Sequence, residues 1–178
     1  MPGMWGRGRP RARCLFGQVE RGRSAGDRSS MEKSASLPPA ARLLGYAGLL
    51  PPIGCVAGIA AFPDQRALLL EAGFGYAALI YSFLGGLWWG QGVARGRATA
   101  GLFAVAVVPS LLAWALMLLQ RHGLSIATTL LALGTAILVS PLVDLRLART
   151  GGGTRGWIAL RLQLSTGLGL LTLALALR

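Results

Sequence analysis

The side chains able to do acid–base, nucleophilic or metal chemistry are few. In 178 residues there is one histidine, His122, one lysine, Lys33, two cysteines, Cys14 and Cys55, and six acids. A His/Cys metal centre needs three or four converging ligands. Here the histidine stands alone and the cysteines fall in an Arg-rich tail and an apolar run, so no metal and no disulfide is expected. A Ser/His/acid set fails on the same lone His122. A phosphate-cradling loop needs a lysine after its glycines, and Gly151-Gly152-Gly153 has none, so it reads as a flexible linker. Glu71 and Asp144 could pair as carboxylates only if they met, and the spans derived below put them at opposite membrane faces. No catalytic residue, metal ligand or cofactor-binding residue is expected, and no cofactor. The chain does not read as an enzyme.

The elements that would position such residues are membrane helices. Hydrophobic residues make up 53% of the chain and charged ones 13%, against about 25% charged in a soluble domain. A bilayer core of about 30 Å needs roughly 20 apolar residues per helix. Five runs qualify: Leu43 to Phe62, Ala72 to Gly90, Ala98 to Leu119, Leu124 to Val143 and Trp157 to Leu177. The fifth carries Arg161 one turn from its start, and that charge is expected to snorkel to the interface. The link Gln120-Arg121-His122-Gly123 is short enough to make spans three and four antiparallel neighbours.

The distribution of Lys and Arg orients the bundle. The tail, the Arg95/Arg97 link and the segment Arg146 to Arg161 lie on one side of the bundle. Arg66, Arg121 and Arg178 lie on the other. The bias places the N-terminus in the cytoplasm and the C-terminus outside. Trp88, Trp89 and Trp157 then fall at the cytoplasmic interface, and Trp114 near the outer one.

Residues 1–36 differ in composition from 37–178, the membrane domain. The tail is basic and rich in Gly and Ser, has no apolar stretch of a secretory signal, and is expected to be disordered. Three readings stay open: a mitochondrial transit peptide, an Arg-rich segment for anionic lipid, or upstream sequence with Met31 as the start. Aromatic residues beyond Trp5 and Phe16 are lacking, so nucleic acid is not expected as a partner. The Ala, Gly, Leu and Arg richness favours a bacterial inner membrane, with the mitochondrial inner membrane as alternative.

Within the spans a few positions stand out. Pro51-Pro52 in span one predicts a kink whose freed carbonyls find neighbouring donors. Pro109 repeats the theme, with Ser110 beside it to satisfy a local carbonyl. Ser82, Gly86 and Gly90 recur every four residues on one face of span two, and Gly54 and Gly58 repeat the spacing in span one. These five residues predict helix-packing seams. Tyr81, Ser82, Trp88, Trp89, Ser110 and Trp114 form a candidate ligand pocket. Asp144 is expected to pair at the interface with Arg146, Arg149 or Arg161.

Several stretches together carry a resemblance. Leu44-Gly-Tyr-Ala-Gly-Leu-Leu-Pro51, Ser82-Phe-Leu-Gly-Gly-Leu-Trp-Trp-Gly90 and Val108-Pro-Ser-Leu-Leu-Ala-Trp114 resemble a five-span bacterial family, domain of unknown function 3429. So do Asp144 with Arg146 and Leu147, and Trp157 with Leu160 and Arg161. The family is related to mitochondrial transmembrane protein 69. The resemblance implies membrane location and five spans, and no activity. One departure is implied: many relatives are expected to carry a His where this chain has Trp88. The expectation is an all-α bundle of five transmembrane helices with a structural or interaction role. Its partners would be the lipid bilayer and another membrane helix or a second copy. The alternative is a small-molecule binder or transporter, similar in architecture to tryptophan-rich sensory proteins.

Overall fold

The computed structural model describes residues 37–94, 96, 99–149 and 155–178, with Arg155 described by its backbone alone. The basic tail and Met31 lie outside the described residues. Every regular element among the described residues is helical. In chain order they are α1 (Pro39–Ala47), α2 (Leu50–Ala61), a short 3-10 turn (Pro63–Gln65), α3 (Arg66–Ala94), α4 (Ala100–Arg121), α5 (Ile126–Val139), α6 (Pro141–Arg149) and α7 (Arg155–Ala176). Among the described residues they make five stretches long and apolar enough to cross a membrane: Pro39–Ala61, Pro63–Ala94, Ala100–Arg121, Ile126–Arg149 and Gly156–Ala176.

Two of the five stretches are broken by proline, and in both the break is chemically repaired. Span one turns at Gly48 and Leu49, which keep right-handed helical dihedrals. Pro51 and Pro52 then occupy the first turn of α2, where the missing N–H groups have no intrahelical role. In a continuous helix the Gly48 carbonyl would accept from residue 52, which is a proline. It accepts instead from the Tyr76 hydroxyl at 2.7 Å. The kink and its neighbouring donor are as the prolines imply. Span four breaks the same way at Ser140, a feature absent from the hydrophobic pattern. Pro141 frees the Ile137 carbonyl, and the Ser140 hydroxyl donates to it at 2.7 Å. Pro109 behaves differently: α4 runs straight through it with the ring buried. The expected repair by Ser110 is not seen, since the Ser110 hydroxyl makes no hydrogen bond among the described residues and borders an open groove.

The 29-residue α3 is the central element and packs on α4, α2, α5 and α7. The other large seam joins α5 to α7, so α5 packs more closely on α7 than on its sequence neighbour α4. Buried Leu130, Leu133, Ile137, Phe74, Leu168 and Leu175 fill the centre. Glycines let backbones close up at both seams. A Cβ on Gly85 would collide with the Ala106 carbonyl oxygen of α4. On Gly134 it would lie 3.2 Å from the Gly169 oxygen, and on Gly169 it would lie 3.3 Å from the Gly134 oxygen. Such approaches bring weak Cα–H···O contacts and dispersion to the seam.

The seam expected from the sequence therefore moves. A Cβ on Gly54, Gly86 or Gly90 meets nothing within 4 Å among the described residues. Gly58 does pack, with Leu69 of α3 3.1 Å from such a Cβ. Ser82 is half-buried beside an open groove. Gly85 and Gly86 are one residue, hence about 100°, apart on the helix. Spacing finds the small-residue faces of α3, but it does not say which of them turns inward.

Candidate functional site

The concentration of buried polar chemistry lies where α3, α6 and α7 meet. Asp144 sits in the first turn of α6, four residues beyond the Ser140 break. Arg161 lies in the second turn of α7, and Trp88 near the end of α3. All three side chains are enclosed: Trp88 is 2% exposed, Arg161 5% and Asp144 8%. The Arg161 Nη2 donates to both carboxylate oxygens of Asp144, at 2.9 Å to Oδ1 and 3.0 Å to Oδ2. The Trp88 indole Nε1–H donates to Oδ1 at 2.8 Å. One carboxylate thus accepts from two helices at once.

The geometry follows from the cost of burial. An unpaired charge among apolar helices is expensive, so it must find a counter-charge and hydrogen bonds. Arg161 is 5% exposed and turns inward to Asp144 rather than outward to the headgroups. The expectation of an interface pair is corrected in two ways. The pair is buried inside the bundle, and Arg146 is not part of it. Residues two apart on a helix point in different directions, so Arg146 is exposed while Asp144 is buried. A single nitrogen serves both carboxylate oxygens. The Arg161 Nε is consequently buried and without an acceptor among the described residues.

The candidate ligand pocket divides into three places. Trp88 belongs to the Asp144–Arg161 cluster. Tyr81 is in the core between Ala77, Leu84 and their neighbours, buried to 5% exposure. Trp89 faces outward on α3 and stacks, tilted, on Phe103 of α4 at 4.4 Å between ring centres. Ser82, Ser110 and Trp114 do come together, along a shallow cavity of about 320 Å³ between α3 and α4 that also touches Gly75 and Met117. Sequence reasoning missed the Trp88 donor. The signal was available: a buried indole N–H must find an acceptor, and Asp144 was the one acid close to a span end on that side.

The two ends of the bundle are distinct. Arg66 Nε donates to the Arg178 carbonyl at 2.8 Å, and Glu71, Gln120 and Arg121 line one recess. These residues share an end, and the Trp88–Asp144–Arg161 cluster lies toward the other. Among the described residues no three His, Cys, Asp or Glu side chains are grouped to hold a metal ion.

A family model described as "Protein of unknown function (DUF3429)" matches residues 37–177. The chain belongs to the DUF3429 family. The match spans all five apolar stretches and includes Trp88, Asp144 and Arg161. No curated protein is significantly similar to this DUF3429 chain. No solved structure matches it either. Family and architecture together make it a multi-pass membrane protein built as a helical bundle.

Proposed function

We propose that this DUF3429 protein is a non-enzymatic interaction bundle of a bacterial inner membrane, with its N-terminus in the cytoplasm. In this reading it recruits another membrane helix, from a second copy or a different protein, through the Ser82–Gly86–Gly90 face of α3. The observation that carries the reading is the openness of that face. Gly86 and Gly90 have no atom of the described chain within 4 Å of a Cβ, whereas Gly85 is closed by α4. In lipid, small residues at four-residue spacing let a second backbone approach closely. Orientation rests on the basic-residue bias, with Arg66, Arg121 and Arg178 outside.

The test is oxidative cross-linking in native membranes with Gly86→Cys in a background lacking Cys14 and Cys55. A cross-linked species of defined mass is expected, absent when the new cysteine is placed at exposed Leu131 on α5. Equal cross-linking at both positions would mean random collision. A second reading, small-molecule binding, has the Ser82–Ser110–Trp114 cavity in its favour. It predicts that a compound co-purifies and is lost with Trp114→Ala.

A further inference from the structure

A recess of about 520 Å³ opens between α3 and α4 at the end of the bundle opposite the Trp88–Asp144–Arg161 cluster. Glu71 of α3 lines one side of it, and Gln120 and Arg121 of α4 line the other. The Glu71 carboxylate and the Arg121 guanidinium border one space. Among the described residues neither makes an ion pair or a side-chain hydrogen bond.

The register of the two helices puts these charges at one level. Trp89 stacks on Phe103, and Gly85 closes on the Ala106 carbonyl. Each step of three or four residues toward the start of α3 is matched by a like step toward the end of α4. Ser82 and Gly75 accordingly share a cavity with Ser110 and Met117. Glu71 and Arg121 are the next step. A Cβ on Gly75 would meet nothing within 4 Å among the described residues, so the space is open there.

The recess continues beyond its charged rim. It meets the shallow α3–α4 cavity of about 320 Å³ at Gly75 and Met117, which line both. Past that junction the lining, including Ala78, Ser82, Ala113 and Trp114, carries no charge. Glu71 to Ser82 is eleven residues, or about 16 Å along the helix. That is close to half of a hydrocarbon core about 30 Å thick.

The charge pattern selects the occupant. A hydrocarbon would fill the groove and leave both rim charges unmet. A soluble zwitterion would meet both charges and leave the groove empty. An anionic lipid would satisfy Arg121 and set its own charge against Glu71. A lipid with an ammonium and a phosphate in one head satisfies the rim and the groove together, through charge-assisted hydrogen bonds.

We propose that recess and groove together seat one phosphatidylethanolamine-type lipid. Its ammonium donates to the Glu71 carboxylate and its phosphate accepts from Arg121. The upper part of one acyl chain lies between α3 and α4 as far as Ser82. The inference rests on reading the Ser82–Ser110–Trp114 cavity as a ligand site. Gly86 and Gly90 lie about one and two turns beyond it and stay free for a partner helix.

The experiment is native mass spectrometry of the full chain in mild detergent, with dioleoyl phosphatidylethanolamine and dioleoyl phosphatidylcholine competing at equal concentration. The two share chains, phosphate and zero net charge, so basic surfaces elsewhere do not tell them apart. The choline nitrogen has no N–H to donate. The ethanolamine lipid should be retained about fivefold over the choline lipid, the upper end of what an exposed charge pair supplies. Glu71→Leu should erase that preference. Arg121→Gln should lower retention of both lipids and keep their ratio. Gly75→Leu should abolish the preference with melting unchanged, since its side chain enters open space. Equal retention of the two lipids by the unmodified protein overturns the inference, as does retention of neither, or a Glu71→Leu protein that keeps the preference. The unmodified comparison needs no substitution, so it decides the matter even if a variant fails to fold. If the two lipids are retained equally while another compound co-purifies and is lost with Trp114→Ala, the cavity reading stands and the lipid assignment falls. Gly86→Leu should leave the preference intact, which separates this site from the helix-recruiting face.

Discussion

Arg161 of α7 grips Asp144 of α6 through a single nitrogen, Nη2, which lies 2.9 and 3.0 Å from the two carboxylate oxygens. This contact ties two helices separated by the 150–154 link, and Trp88 of α3 joins them through the same Oδ1. The cluster fixes three helices at one end of a bundle with an apolar centre.

Breaking the pair from one side should cost more than replacing it. Asp144→Asn or Arg161→Gln leaves a buried charge without its partner, a loss of about 3–5 kcal/mol. The double replacement Asp144→Leu with Arg161→Met removes both charges and should recover most of that loss. Detergent melting of the two single variants and the double variant measures the coupling. Additive losses would mean the two side chains act separately.

Trp88→Phe keeps most of the ring and deletes the N–H donor. A hydrogen bond to a charged acceptor is worth about 1.5–3 kcal/mol, so melting should fall by that amount. In the Asp144→Leu, Arg161→Met background the same change should cost much less, because the acceptor is gone. A loss equal in both backgrounds would assign the effect to packing alone.

The two proline repairs differ in how many donors each freed carbonyl keeps. Tyr76→Phe should strand the Gly48 carbonyl, at about 1–3 kcal/mol for a buried unsatisfied acceptor, whereas Ser140→Ala should cost less, because the Ser140 N–H still donates to the Ile137 carbonyl at 3.2 Å. Tyr76 is only half-buried and should sit at the low end. Restoring an N–H with Pro52→Ala should make Tyr76→Phe nearly silent. Hydrogen exchange around residues 48–53 reads the change locally.

Much of the architecture was legible in the sequence, for a physical reason. Runs of apolar residues with few charges have one stable arrangement in a bilayer, the satisfied helix. Five such runs gave five observed stretches whose limits moved by a few residues at most ends; span two extends furthest, since its helix begins at Arg66 rather than Ala72. The Pro51-Pro52 kink was readable because proline lacks a donor wherever it stands. What was not legible was direction. Ser82, Gly86 and Gly90 share a face, but only the neighbouring α4 shows that Gly85 is the residue turned inward. Arg161 was expected at the lipid headgroups because a lone charge near a span end usually escapes there. It is instead buried and held by Asp144, one of the pairings open in the sequence, seventeen residues earlier. Which of the three arginines pairs, and that Trp88 joins it, depends on how three helices face one another, which leaves no periodic trace in a single chain.

The two faces of α3 give the most direct measurement. Gly85→Leu and Gly86→Leu are made one residue apart, and each is assayed for detergent melting and for association in membranes. The account predicts that Gly85→Leu lowers melting strongly, because its side chain would strike the Ala106 carbonyl, at a cost of about 1–3 kcal/mol or more. Gly86→Leu should melt like the unmodified protein and lose association, because its face is open within the chain. A Gly86→Leu protein that melts early, or that associates as well as the original, would contradict the claim that this face is the one offered to a partner helix.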